Sequence, residues 1–370
     1  MDTTTTDDGQ WTMDDGQQTE TIQNPGALGA TKIQNRIHPA LLRFFQQDPE
    51  DVKRLQAEVR ELAKERQAVI MAHNYQVPEV QDVADFVGDS LGLAMEAAKT
   101  TSPVIVLCGV YFMAETAKIL NPNRIVIIPD ETAGCSLADS INVAQLREWK
   151  AQHPGAVVVS YVNTTADIKA ESDICVTSGN AQAVIRSIPE EKTILFLPDM
   201  YLGSWLKDSL KRDNMVIWAG ECHVHAGIRT AEIYEMMAQY PDADLLIHPE
   251  CGCTSRFVWA AQTGKLPQDN TFVLSTEGMI KHARNTPKKT HLVATETGIL
   301  HRLQKENPDH AFVPADRAAV CRYMKQITIE KLRNSLRDMQ PQVEVPADII
   351  GPARLAIERM LAVPGNTKKD

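Results

Sequence analysis

The sequence predicts an α/β protein: three related three-layer αβα units, each on a parallel sheet, with the site at their common centre. Three observations predict it. Apolar strand segments alternate with helical patterns along the chain. The strand segments, such as VIVLC (104–108) and ILFL (194–197), are continuous apolar runs, as strands covered on both faces require. The pattern also recurs three times with one cysteine at the same place in each copy: VIVLCG to Cys135, TILFLPD to Cys222 and HLVATE to Cys321.

The chain has 370 residues, more than one core usually organises, so two or three units are expected. With 43% hydrophobic and 23% charged residues it reads as globular. A net charge of −10 and the lack of a Lys/Arg run argue against a nucleic-acid partner. No apolar run approaches ~18–20 residues, so no membrane span is expected. The N-terminus lacks the basic start and apolar core of a signal peptide, and a cytoplasmic location is expected. Seven cysteines in such a chain read as thiols or metal ligands rather than a disulfide framework.

Residues 1–35 are rich in Thr, Asp, Gln and Gly, with DDGQ written twice, and read as a disordered tail. The first unit spans 36–150 and opens with a helix over Asp51–Arg66. The second spans 151–240, the third 241–361, and 362–370 form a C-terminal tail. The register can be counted. The strands AVIMAH, AVVVSY and ADLLIH end at His73, Tyr161 and His248, which are 88 and 87 residues apart. Ser90 and Ser178 each follow 17 residues after a strand end, and Ser275 and Thr276 about 27 after the third. The cysteines follow at 62, 61 and 73 residues. One insertion of about ten residues, CGCTSRFVWA and its neighbours, accounts for both long intervals in the third unit.

In doubly wound α/β units ligands lie beyond the carboxyl ends of the strands, where all these residues fall. If those ends face inward, Cys135, Cys222 and Cys321 converge. Three thiolates from distant parts of the chain, with no CxxC, suit a four-iron cluster with one iron left open as a Lewis acid. Cys108 and Cys175 lie inside apolar runs and read as core. Cys251 and Cys253 read as a local feature of the inserted loop, with a second thiol site or a redox pair as alternatives. Ser90, Ser178 and Thr276 stand where a strand enters a helix, positions suited to plain capping or to holding the anionic groups of a substrate. The strand-end signatures HNYQ, YVNT and HPEC make Tyr75, Asn163 and Glu250 equivalents: a proton donor, an orienting amide and a base. His225, three residues past Cys222, is a weaker candidate for contact with a ligand or the cluster.

The segments MAHNYQVPEVQDVAD, GDSLGLA, CGVYFMAETAKIL, GCSLAD, YVNT, WAGECHVH, HPEC and CRYMKQIT together resemble the quinolinate synthase family (quinolinate synthetase A), over residues 36 to 361. The resemblance implies three pseudo-threefold domains and a [4Fe–4S] cluster on Cys135, Cys222 and Cys321. It implies condensation of iminosuccinate with dihydroxyacetone phosphate to quinolinate, phosphate and water in de novo NAD synthesis, with L-aspartate oxidase as a supplier of the imine. Substrate contacts carry over to His73, Ser90, Tyr161, Asn163, Ser178, His248, Glu250 and Thr276. Tyr75, Glu250 and His73 carry over as catalytic residues. The CGC insertion departs from shorter members, and the placing of Thr276 rests on the STEG match. The alternative reading is an iron–sulfur protein for electron transfer or iron sensing. A metal-free nucleotide- or sugar-binding module has little support, since no GxGxxG or GxxxxGK follows a strand.

Overall fold

The computed structural model describes residues 48–254, 257 and 270–363. The N-terminal tail expected over 1–35, most of the CGC insertion and the last seven residues lie outside the described residues. Helix α1 (Pro49–Glu65) begins where Asp48 accepts the amide protons of Glu50 and Asp51. It buries Leu55, Val59 and Ala63.

Three parallel four-stranded sheets follow. The first holds β1 (Ala68–His73), β2 (Phe86–Gly88), β3 (Val104–Cys108) and β4 (Ile125–Ile127) in the order β2-β1-β3-β4. The second holds β5 (Val157–Tyr161), β6 (Ile174–Val176), β7 (Ile194–Leu197) and β8 (Met215–Ile217) in the order β6-β5-β7-β8. The third holds β9 (Asp244–Ile247), β10 (Thr271–Val273), β11 (Thr290–Ala294) and β12 (Ala311–Pro314) in the order β10-β9-β11-β12. Every pairing within the sheets is parallel, and the three orders are the same. The α/β class and the threefold repeat are as expected.

The connections are helical. Those of the first sheet are α2 (Pro78–Gln81), α3 (Ser90–Lys99), α4 (Tyr111–Leu120) and α5 (Val143–Gln152). The second sheet has α6 (Ala166–Ala170), α7 (Ala181–Ser187), α8 (Met200–Leu210), α9 (His223–Gly227) and α10 (Thr230–Gln239). The third has α11 (Thr276–Asn285), α12 (Ile299–Glu306) and α13 (Ile329–Asp338). A parallel pair needs a crossover of this kind, and the crossovers cover both faces. All five residues of β3 are buried, which explains its unbroken apolar sequence. Cys108 and Cys175 are fully buried in the core, as their apolar surroundings suggested. Among the described residues no helix is long and apolar enough to cross a membrane.

The repeat extends to single hydrogen bonds. Asp85 and Asp173, each just before the second strand of its sheet, accept the amide protons of Ile70 and Val158 at 2.8 Å. A carboxylate there closes the edge of the first strand without needing a further residue to pair with it.

The C-terminal helix α14 (Ala347–Ala362) has no counterpart in the repeat and packs against α6 and β6 of the second sheet. Asn180 fixes it: its Nδ2 donates to the carbonyls of Met360 (3.1 Å) and Val363 (3.4 Å), while its Oδ1 accepts from the Thr177 amide (2.8 Å). Asn180 is fully buried, so Asn180→Ala strands these groups away from water. The expected cost is roughly 2 kcal/mol, read as a lower urea midpoint at unchanged m-value. An unchanged midpoint would show that α14 does not depend on this side chain.

Candidate active site

The carboxyl ends of the three sheets line one pocket of about 690 Å³, part of it open to solvent. His73, Tyr75, Ser90, Cys135, Tyr161, Asn163, Ser178, Cys222, His248, Glu250, Thr276 and Cys321, the whole set singled out from sequence, all line it.

The three cysteines occupy one kind of turn. Each carbonyl accepts the amide proton four residues on: Asp139 to Cys135 (3.0 Å), Ala226 to Cys222 (2.8 Å) and Lys325 to Cys321 (3.2 Å). Each sulfur accepts the amide proton three residues on, from Ala138, His225 and Met324, and Leu137 and Tyr323 add a second to Cys135 and Cys321. Burial pushes the thiols up, to about 12 for Cys135 and about 11 for Cys321, and well up for Cys222. Their mutual proximity contributes for Cys135 and Cys222. Half-buried sulfurs that line one pocket and raise one another need positive charge to become thiolates, which a metal centre provides. Cys135, Cys222 and Cys321 are thus residues that could hold a metal centre.

The strand-end residues are held just as locally. The amides of Tyr75 and Glu250 donate to Nδ1 of His73 (3.2 Å) and of His248 (3.4 Å), the same turn in two sheets. The helix starts are also shared. Asp89 and Ser275 cap α3 and α11 by accepting the Gly92 and Gly278 amides. Ser90 and Thr276 are thus the first helical residues rather than the caps, and their hydroxyls are free of that duty. Ser178 lies in the turn before α7, with its Oγ 3.3 Å from Nε2 of His248. Asn74 donates to the Thr276 hydroxyl at 2.9 Å. The Asn163 Oδ1 is buried and accepts no hydrogen bond from the described residues.

A chain of polar contacts crosses the pocket floor. The Tyr75 hydroxyl meets Thr295 Oγ1 at 2.6 Å, and the same oxygen meets His225 Nε2 at 2.9 Å. His225 Nδ1 lies 3.3 Å from Glu250 Oε2, and the Tyr161 hydroxyl donates to Glu250 Oε1. All five residues are buried. Burial pushes the Glu250 carboxyl up, but His225 and the Tyr161 hydroxyl beside it outweigh that and hold the group below the usual carboxylate range. Burial and the Glu250 charge push both phenols well up.

Three features were not read from the sequence. Thr295 is the first, and the repeat carried its signal: Thr295–Glu296 follow β11 as Pro198–Asp199 follow β7. The second is a buried ion pair between Lys325 and Glu296 (2.7 Å). Lys325 also donates to the Tyr75 carbonyl, and Glu296 accepts the amides of Cys321 (3.0 Å) and Gly298 (2.7 Å). The third corrects an expectation. Cys251 and Cys253 form a disulfide, against the composition-based expectation of thiols and in keeping with the redox pair that was one alternative for them. The turn after Glu250 brings their Cα atoms to 5.2 Å, within bonding reach.

Burial lowers His73 and His248 to about 3, so both are neutral in the folded chain. The unfolded chain binds these protons near the ordinary pKa of about 6.5, so stability is full above that pH and falls as pH drops toward 3. Each histidine contributes about 1.4 kcal/mol per pH unit in that window. Urea titrations of the cluster-free chain between pH 6 and 4 are expected to show this slope, and His73→Gln should reduce it by one histidine's share. An undiminished slope would mean that His73 does not titrate on unfolding.

The sequence matches the quinolinate synthetase A protein family over residues 57–362. It is similar to the quinolinate synthase of a Thermus thermophilus strain, with 52% identity over 309 residues, 84% of this chain and 97% of the relative. The quinolinate synthase of Mycobacterium sp. (strain KMS) is 52% identical over 307 residues, 83% of this chain and 91% of the relative. That of Pyrobaculum aerophilum is 51% identical over 307 residues, 83% of this chain and 98% of the relative. With this much of the chain matched, and each sheet of the repeat within the match, the chain belongs to the quinolinate synthetase A family.

Proposed function

We propose that the chain is a quinolinate synthase that condenses iminosuccinate with dihydroxyacetone phosphate to quinolinate, phosphate and water, for de novo NAD synthesis. The observation that carries the reading is the polar chain from Tyr75 through Thr295 and His225 to Glu250 and Tyr161, lying beside three equivalent cysteine turns. Cys135, Cys222 and Cys321 would hold a [4Fe–4S] cluster, which would supply Lewis-acid chemistry toward a substrate oxygen.

The remaining steps belong to the chain's own side chains. Ser90, Ser178 and Thr276 offer hydroxyls at helix starts, with helix amides beside them, and hold the carboxylates and phosphate. Asn163 supplies an acceptor for a substrate N–H or O–H. Neutral His73 and His248 add hydrogen bonds without repelling cations or gaining charge. The ionised Glu250 accepts a proton when the carbon–nitrogen or carbon–carbon bond forms. Tyr161 steadies that carboxylate. The protonated Tyr75 phenol donates to a leaving hydroxyl, and Thr295 and His225 relay a replacement proton. Fixing both substrates in this way removes most of the entropic barrier to ring closure. The imine hydrolyses readily, so L-aspartate oxidase is the partner that supplies it. A protein for electron transfer or iron sensing has no use for this acid–base chain.

Anaerobic reconstitution tests the proposal. The parent chain is expected to bind about four irons and to form quinolinate from the two substrates. Cys135→Ser, Cys222→Ser and Cys321→Ser should each lose cluster and turnover, while Cys108→Ser keeps both. A cluster intact in all three serine variants would remove the ligand assignment. Tyr75→Phe is expected to lower kcat by roughly 10²–10⁴-fold with the cluster retained. Thr295→Val should cost roughly 10–100-fold by cutting the relay at its middle. Full turnover in both would leave the acid–base assignment without support.

A further inference from the structure

We infer that the amino-terminal end of the third sheet holds a divalent cation of the zinc class, bound by Asp244, His282 and His291. This site lies at the opposite ends of the strands from the pocket and uses none of its residues. Asp244 opens β9 and His291 is the second residue of β11, and the two are direct partners in the parallel register. Partners leave the same face of a sheet side by side. Helix α11 covers that face and brings His282 to it, with its ring 4.1 Å from that of Phe272.

One ligand atom from each of Asp244, His282 and His291 lies within 4.8 Å of the other two. Asp244 Oδ2 and His282 Nε2 are 2.7 Å apart. Asp244 is 2% exposed and His291 fully buried. The Nδ1 of His291 is buried with no hydrogen-bond partner among the described residues, while its Nε2 meets His310 Nδ1 at 3.0 Å. Burial, with His310 beside it, lowers His291 to about 4, so its ring is neutral. Lys289 donates to His310 Nε2, so His310 Nδ1 donates to His291 Nε2 and the His291 proton sits on Nδ1. A metal at Nδ1 displaces that proton, and a proton shift along Lys289, His310 and His291 restores an N–H on Nε2. Two imidazoles and a carboxylate are a three-ligand zinc set, with a fourth position for water. Zinc with ligands at ~2.0–2.1 Å spaces them roughly 3.3 Å apart. The Asp244–His282 contact therefore opens by about half an ångström, and His282, the least buried of the three, moves and carries its proton on Nδ1, which leaves the Nε2 lone pair for the metal.

The surroundings define both the support and the competitor. Thr286 donates to Asp244 Oδ2 at 3.1 Å, and Lys289 Nζ lies 2.9 Å from His310 Nε2. The Lys288 ammonium lies 3.2 Å from Asp244 Oδ1 and opposes a second cation nearby. In the absence of metal the cluster is an Asp–His–Lys ion-pair network. With metal it clamps α11, whose first residue is Thr276 of the pocket, to the sheet near the helix's far end.

Calorimetric titration of the cluster-loaded full chain with ZnCl₂ tests this, since the pocket thiols are then occupied. One zinc per chain is expected, with a rise in melting temperature. His282→Gln keeps an N–H for Asp244 and should retain the cluster and turnover, yet weaken zinc roughly 100-fold. Lys288→Gln removes the competing charge and should tighten zinc several-fold. The proposal is overturned if the parent takes up no zinc at about 100 μM, well above usual zinc-site dissociation constants. It is equally overturned if His282→Gln binds zinc as the parent does.

Discussion

A carboxylate as deeply buried as Glu250 must be met by hydrogen bonds and positive character, or it takes up a proton. The groups that meet it come from separate parts of the fold. Tyr161 ends β5, and His225 lies in α9 just past Cys222. Thr295 after β11 and Tyr75 after β1 extend the chain of contacts to the first sheet. None of the three sheets could shift by an ångström against the others without stranding a buried polar atom. The relative placement of the repeats is therefore tied to the protonation state of one side chain.

The Lys325–Glu296 pair works to the same end. Such a pair, both members almost without exposure, adds little net stability because desolvation cancels most of the attraction. Its value is positional. Glu296 holds the Cys321 and Gly298 amides, and Lys325 holds the Tyr75 carbonyl. Through two side chains, the third cysteine turn and the turn bearing the Tyr75 phenol are fixed to each other. Gln81 reinforces this junction by donating to the carbonyls of Asn74, Gln76 and Gly298.

Most of the fold was legible because parallel sheets write themselves as apolar runs separated by helices. The pocket lining was legible because those sheets expose ligands only beyond their carboxyl ends. Counting from the strand ends placed His73, Ser90 and Cys135 in the pocket with their counterparts from the other two sheets. Thr295 was not legible as a functional residue, since a threonine after a buried strand is common and its importance lies in which two residues from other sheets reach it. The Cys251–Cys253 bridge was legible only as one alternative, a redox pair, for a different reason. Composition argued for thiols, but a turn two residues long decides bonding by local geometry, whatever the rest of the chain does. Helix α14 stands outside the repeat, so counting could not place it; its docking is set by the buried amide of Asn180.

What the repeat keeps and what it changes follow one rule. The cysteine turns are kept because main-chain amides make them, and almost any neighbouring side chains allow the same amide-to-sulfur and amide-to-carbonyl bonds. The aspartates that anchor β1 and β5 recur in two sheets only; Asn270 holds the position in the third and donates to the Ala243 carbonyl. The positions two residues beyond the strand ends are not kept: they hold a phenol, an amide and a carboxylate. Three identical groups there would either all carry charge, which burial forbids, or all be neutral, which leaves no base. Acid–base chemistry needs a donor and an acceptor of different affinity for the same proton. A scaffold built by repetition thus has to lose its symmetry where protons move, and Tyr75, Asn163 and Glu250 mark the place where it does.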